Sequence, residues 1–331
     1  MRKRAHEHES GKKTARVPRW SAACRNKHRG AAHLGSSTAK RGKLTVKTTI
    51  KGVTALTASV LLFNAQPANA ADWSDTYIGY RYGTKFAEPF NNEDIAKNIV
   101  NFSHVSGYAY GTNFFNVDFL LSDSKDPSAP GATSGAQEAY LVYRNVLDIG
   151  KVSGANMKAG PMRGWGVTTG FDVNAKTDAG YNSKKRMLVL GPTLMIDVPG
   201  YLNTSLLVLW ESNAPHNDFT GVSTPRYRYK THPALDANWG IPIGAGFSFE
   251  GYGDYIWSKG KNEFGGDTAP ETHIDMQIMY NITSLYDAKK NTFKIGLEYE
   301  YWKNKFGNDH NGPAGSGAFA KTPMIRAEYH F

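Results

Sequence analysis

Residues 292–303 read TFKIGLEYEYWK, and their alternation is unbroken. The odd positions Phe293, Ile295, Leu297, Tyr299 and Tyr301 are apolar or aromatic. The even positions Lys294, Gly296, Glu298, Glu300 and Trp302 are mostly polar. In an extended chain successive side chains point to opposite faces, so this stretch has one face for an apolar medium and one for water. The same period runs through 272–283. There Ile274, Met276, Ile278, Tyr280 and Ile282 oppose His273, Asp275, Gln277, Met279 and Asn281. It recurs in 113–121, where Phe115, Val117, Phe119 and Leu121 oppose Phe114, Asn116, Asp118 and Leu120. Alternation alone fits a soluble sandwich as well as a membrane barrel. Mean hydropathy of −0.48 fits either, because a barrel with a polar interior also averages polar.

Working outward from these stretches gives twelve segments: 72–85, 99–110, 112–123, 136–149, 165–178, 185–198, 200–213, 232–244, 246–259, 271–283, 292–305 and 321–331. Near-continuous apolar runs at Met187–Leu190 and Leu206–Trp210 blur the period in two of them. No stretch after residue 71 is apolar for long enough to be a spanning helix. A membrane crossing must then be a closed barrel, which satisfies every backbone group internally. Tight links at Gly111, Pro199-Gly200 and Gly244-Ala245 fall on one side. Polar segments 86–98, 124–135, 214–231, 260–270 and 306–320 fall on the other. Short periplasmic turns and long surface loops are the pattern of outer-membrane barrels. The expected fold is all-β: a transmembrane antiparallel barrel of twelve strands over 71–331, in the outer membrane of a Gram-negative cell.

The two ends of the chain agree. Ile325–Phe331 alternates and closes on aromatics, so Tyr329 and Phe331 are expected to form the signal read by the barrel assembly machinery. At the other end, Gly52–Gln66 is an uncharged, mostly apolar run following Lys43, Lys47 and Lys51, and Ala68-Asn69-Ala70 forms an A-x-A box. This is the order of a cleavable export signal. It places the signal peptide at 44–70, cleavage after Ala70 with Ala68 at the −3 position, and Ala71 as the mature start. Residues 1–51 hold 15 Lys and Arg against Glu7 and Glu9, so the chain's net +10 belongs to the leader and the rest is slightly acidic. That excludes nucleic acid as the partner of the mature chain. Residues 1–43 lack apolar periodicity and are expected to precede the true translation start, near Leu44 or Val46. The one cysteine, Cys24, lies in that leader, so no disulfide is expected.

The polar faces should line a water-filled pore carrying Arg81, Glu138, Arg144, Asp172, Lys176, Asp236, Glu250, Asp254, Asp275, Lys294, Glu298, Glu300, Arg326 and Glu328. Aromatic faces stack on planar bases, and charged groups hydrogen-bond base edges or ribose. Tyr77, Tyr252 and Trp302 are expected to face inward, with Phe86 and Phe90 just beyond the first strand. Solute-binding candidates are therefore Tyr77, Arg81, Phe86, Phe90, Tyr252, Asp254, Glu298, Glu300 and Trp302. His104-Val105-Ser106 puts a base and a hydroxyl on one strand face, so a barrel hydrolase is an alternative. No metal site is expected, because His216, His232, His273, His310 and His330 lack paired spacing. Nothing in the sequence calls for a cofactor.

The mature chain resembles the nucleoside-specific channel-forming outer-membrane family, the Tsx-type channels. The resemblance is carried by Asp72-Trp73-Ser74-Asp75 followed by Ile78-Gly79-Tyr80-Arg81-Tyr82-Gly83. It continues in Gly107-Tyr108-Ala109-Tyr110 with Phe114-Phe115-Asn116-Val117-Asp118-Phe119, and in Ala327-Glu328-Tyr329-His330-Phe331. It implies a monomeric twelve-stranded barrel that binds and passes nucleosides without an energy source. It also implies exposed loops that serve as phage or colicin receptors, with outer-membrane lipid and lipopolysaccharide around the wall. Better-known members carry a Trp-Trp pair near the mature start, where this chain has a single Trp73 with Phe86 and Phe90 nearby. A general porin is the other channel reading.

Overall fold

The computed structural model describes residues 71–285 and 291–331. The expected leader, export signal and Ala68–Ala70 cleavage box lie outside the described residues. Twelve long strands dominate: β1 (Trp73–Glu88), β2 (Asn91–Tyr108), β3 (Gly111–Ser122), β4 (Gln137–Asp148), β5 (Met162–Thr177), β6 (Arg186–Ile196), β7 (Tyr201–Asn213), β8 (His232–Gly244), β9 (Phe247–Ile256), β10 (Glu271–Asn281), β11 (Phe293–Lys303) and β12 (Phe319–His330). Each pairs antiparallel with the next, and β12 returns to β1 with Arg81 opposite Arg326 and Tyr77 opposite His330. The sheet closes on itself and leaves no long edge. Short turns gather at the end holding the barrel's first and last residues, which is therefore the periplasmic end.

The barrel is inside-out relative to a soluble one. Large apolar side chains cover its outer wall, with Leu297 70% and Leu188 59% exposed, while the inward Glu298 side chain is 0% exposed. A soluble sandwich would place these groups the other way round. Aromatics collect at the two rims of the outer wall. Trp165, Phe247, Phe293, Tyr329 and Phe331 lie at the periplasmic rim, and Trp210, Tyr255 and Trp257 at the outer rim. Interfacial girdles of this kind hold a barrel at its depth in the bilayer. The chain is an outer-membrane β-barrel.

The inner wall is filled rather than hollow along much of its circumference. At the periplasmic mouth, Tyr201 lies flat across Gly240, where a Cβ would stand 2.5 Å from the phenol ring. On β6, β7 and β8 the inward side chains Met187, Val189, Leu207, Leu209 and Ala234 form an apolar cluster inside the barrel. Strands apolar on both faces have no period of two to read, which explains the blurred alternation at 187–190 and 206–210.

One expected loop is a strand. Residues 86–98 continue β1 and β2 as a long hairpin turning tightly at Pro89-Phe90, with Phe86 opposite Ile95 and Glu88 opposite Asn91. Register shifts between Gly83 and Glu88 bend it. Beyond the bilayer both faces are wet or packed by loops, so lipid no longer imposes alternation, and Asn91-Asn92-Glu93-Asp94 reads as loop. The periplasmic link after β4 begins with a short helix, Ile149–Ser153. The Asp148 carboxylate accepts from the Lys151 amide at 3.1 Å, and Gly154 at φ 70° ends the turn.

Candidate functional site

The site is the lumen, and its mid-depth plug is ionic. Arg81 projects inward from β1. Its guanidinium lies 2.6 Å from Asp118 on β3, 3.0 Å from Glu298 on β11 and 4.0 Å from Asp275 on β10. One side chain therefore bridges an arc of six consecutive strands. Arg326 on β12 holds the other Glu298 oxygen at 2.8 Å and Glu328 at 2.7 Å, and donates to the Tyr77 hydroxyl at 2.9 Å. His330 completes the chain between Glu328 at 3.1 Å and Asp75 at 2.8 Å. Buried pairs like these hold only because each charge finds several partners.

A second network closes the outer end. Lys97 pairs with Glu88 at 2.5 Å. Lys176 lies 3.1 Å from Asp126, 3.4 Å from Glu88 and 2.8 Å from Asp178, and Lys305 reaches Glu88 at 3.4 Å. Burial opposes ionisation of Asp178, yet the Lys176 ammonium beside it holds its carboxyl below the usual range. Burial dominates at Asp126 and pushes its carboxyl up despite Lys176. Across the mouth, loops 178–185, 214–231 and 257–270 meet at Glu263. Tyr229 donates to it at 2.6 Å, and Tyr181 donates to its other oxygen. Burial, then the Glu263 charge, raises the Tyr181 phenol. Burial and the facing Tyr181 do the same to Tyr229.

Open lumen remains between two facing walls. On one, Asn116 and Asp118 of β3 and Tyr140 and Arg144 of β4 are half-buried. On the other stand Asp236 and Asn238 of β8 with Glu250, Tyr252 and Asp254 of β9. Tyr252 is an inward-facing ring that is nonetheless 37% exposed, so solvent reaches its surface within the barrel. Behind it, the His273 ring lies edge-on at 5.2 Å and stacks flat on Trp302 at 3.9 Å. Trp302 is fixed by its indole N–H donating to Glu271 at 2.6 Å. Arg144 is anchored by Asp172 at 2.5 Å, and Tyr140 donates to the same carboxylate at 3.0 Å. The strip thus carries two aromatic rings, Tyr140 and Tyr252, and four carboxylates, of which Asp118 pairs with Arg81 at 2.6 Å and Glu250 with Lys294 at 3.3 Å.

The candidate residues divide by position. Arg81, Glu298, Glu300, Trp302, Tyr252, Asp254 and Tyr77 all face inward. Of these, Tyr252 and Asp254 lie on the open strip, while Arg81, Glu298 and Glu300 belong to the packed wall. Phe86 also faces inward but is buried against Ile95, Ile99 and Met324. Phe90 is 70% exposed at the hairpin tip at φ 67°, away from the lumen. Asp118, Tyr140, His273 and Lys305 were not singled out. Asp118 and His273 sit on polar faces of alternating strands and were readable there. Tyr140 shares the face of Glu138 and Arg144 and was readable in the same way, whereas Lys305 is turned inward by left-handed Asn304 and Phe306, which alternation does not foretell.

The catalytic alternative is not assembled. His104 lies on the outward face of β2 with Phe102, hydrogen-bonded at 2.7 Å to Thr76. No carboxylate is placed on it among the described contacts. One group of possible metal ligands occurs among the described residues: His273, Asp275 and Glu300.

No protein-family model and no curated sequence matches the chain. Among solved structures the chain is similar to a KdgM porin, with TM-score 0.38 and 10% identity over 77% of this chain and 99% of that one. It is similar to a NanC porin, with TM-score 0.40 and 12% identity over 78% and 99%. It is also similar to the translocator domain of the autotransporter NalP from Neisseria meningitidis, with TM-score 0.36 and 11% identity over 78% and 88%. At such scores, what this lumen does has to be read from its own side chains.

Proposed function

We propose that the barrel is a passive outer-membrane channel for small, planar, polar solutes, with nucleosides as the favoured class. The observation that carries the reading is Tyr252. It is an inward phenol ring reached by solvent, opposite Asn238 in register and flanked by the carboxylates Asp236 and Asp254. An aromatic face stacks on a base of any sequence, and the surrounding charges can hydrogen-bond base edges and ribose hydroxyls. The packed Arg81–Glu298–Arg326 wall restricts the passage to small solutes, which disfavours a general porin. Among the described residues Asp236 and Asp254, cross-strand neighbours on the lumen face, make no salt bridge, and this pair would repel an anionic solute. Export, insertion by the assembly machinery and a monomeric state belong to the same reading.

The test is solute flux from proteoliposomes containing the refolded mature barrel. Adenosine and thymidine should equilibrate faster than a neutral disaccharide or an acidic sugar of similar size. Equal rates for all four would point to a general pore.

A further inference from the structure

Asp275 on β10 and Glu300 on β11 are direct cross-strand partners, and His273 lies two residues before Asp275 on the same inward face. Each offers a ligand atom, and those atoms all lie within 4.8 Å of one another. The His273 Nε2 is already 3.4 Å from one Glu300 oxygen. The other Glu300 oxygen, Oε2, and Asp275 Oδ1 are buried with no hydrogen-bond partner. Their residues are only 8% and 6% exposed. A buried carboxylate oxygen without a partner is costly, and two at one point call for a cation. Arg81 does not meet the need, since it approaches Asp275 only through Oδ2, at 4.0 Å.

We infer that His273, Asp275 and Glu300 bind a divalent first-row transition-metal ion such as Zn²⁺. An imidazole with two carboxylates suits these ions better than Mg²⁺ or Ca²⁺, which prefer all-oxygen sets. The imidazole is held ready: Trp302 stacks on one face and the Tyr252 ring stands against its edge, with the Tyr252 hydroxyl 3.4 Å from Nε2. Three protein ligands leave coordination positions for water on the side of the open strip. The ion would sit beside Tyr252, where it would alter solute passage. The inference rests on ligand geometry and stands whether or not the barrel conducts nucleosides.

The experiment is calorimetric titration of the refolded mature barrel in detergent with ZnCl₂ and, separately, MgCl₂. Folding of every sample is confirmed by heat-dependent gel mobility. The site predicts one Zn²⁺ per barrel and far weaker Mg²⁺ binding. Replacing residues that merely support metal ligands costs about 10–100-fold in affinity, so Glu300→Gln, Asp275→Asn and His273→Ala should each lose more than about 100-fold. Cobalt substitution of the unaltered barrel gives a second readout, because ligand-field bands of a low-coordinate ion need no variant. A folded barrel that binds no Zn²⁺ and yields no such bands would overturn the site. So would Zn²⁺ affinity unchanged in all three folded variants, since the metal would then lie on other histidines.

Discussion

Arg81 and Arg326 stand directly opposite each other across the β12–β1 seam, and both donate to one carboxylate, that of Glu298, at 3.0 and 2.8 Å. Two like charges in register would force adjacent strands apart. The Glu298 side chain, fully buried between them, turns a repulsion into a three-residue clamp that closes the barrel. Because the clamp sits on the seam joining first strand to last, its integrity should govern closure more than the stability of any one hairpin.

Glu298→Gln keeps the shape and removes the charge, leaving both guanidinium groups to Asp118, Asp275 and Glu328. Breaking a buried ionic network from one side costs about 3–5 kcal/mol. The variant should convert from the folded to the unfolded gel form at a clearly lower temperature than the parent. Equal conversion temperatures would show that the clamp contributes nothing to closure.

Tyr252 is inward, partly exposed and bonded only weakly to its neighbours, so its removal should affect solutes and spare the fold. Stacking one base on an aromatic is worth about 1–3 kcal/mol. Tyr252→Ala should therefore weaken nucleoside block of the channel by roughly 5- to 150-fold, while Tyr252→Phe keeps most of it. Block unaffected by Tyr252→Ala would remove this ring from the binding site.

Tyr181 and Tyr229 give the outer loops an alkaline limit. Burial and the Glu263 cluster raise both phenols above their ordinary value of about 10. The folded state therefore favours their protonated forms. Their stabilising contribution is fully present below pH about 10 and is lost as pH rises above it toward the folded values. Ultraviolet titration of the parent against Glu263→Ala should show two more tyrosines ionising at moderately alkaline pH in the variant, and identical curves would contradict the cluster.

His104→Ala changes a residue on the outer wall that touches Thr76 and nothing in the lumen. Conductance and solute flux should match the parent. Esterase or lipase activity present in the parent and absent in this variant would revive the hydrolase reading.

The inside–outside division of the wall was legible because water and lipid impose opposite demands on alternate residues. All fourteen charged residues assigned to the lumen by period alone do face inward, from Arg81 to Glu328. Residues 86–98 read as a loop because the hairpin rises beyond the bilayer, and its turn uses a non-glycine residue, Phe90, in the left-handed region. Phe86 therefore packs in an apolar cluster, and Phe90 faces away from the lumen. The His273–Asp275–Glu300 group was invisible for another reason. Paired histidines mark a metal site in a sequence, whereas this set joins an i, i+2 pair to its cross-strand neighbour 25 positions later. Which polar residues pack and which meet water is likewise a matter of register, as Glu298 and Tyr252 show on neighbouring stretches of the same wall.

Single-channel conductance in planar bilayers, with the refolded barrel titrated by adenosine and thymidine, addresses the central claim most directly. A small, steady conductance that falls saturably as nucleoside is added, and that does not fall with an acidic sugar, is the predicted result. A conductance indifferent to nucleosides, or no conductance from barrels shown to be folded, would contradict it.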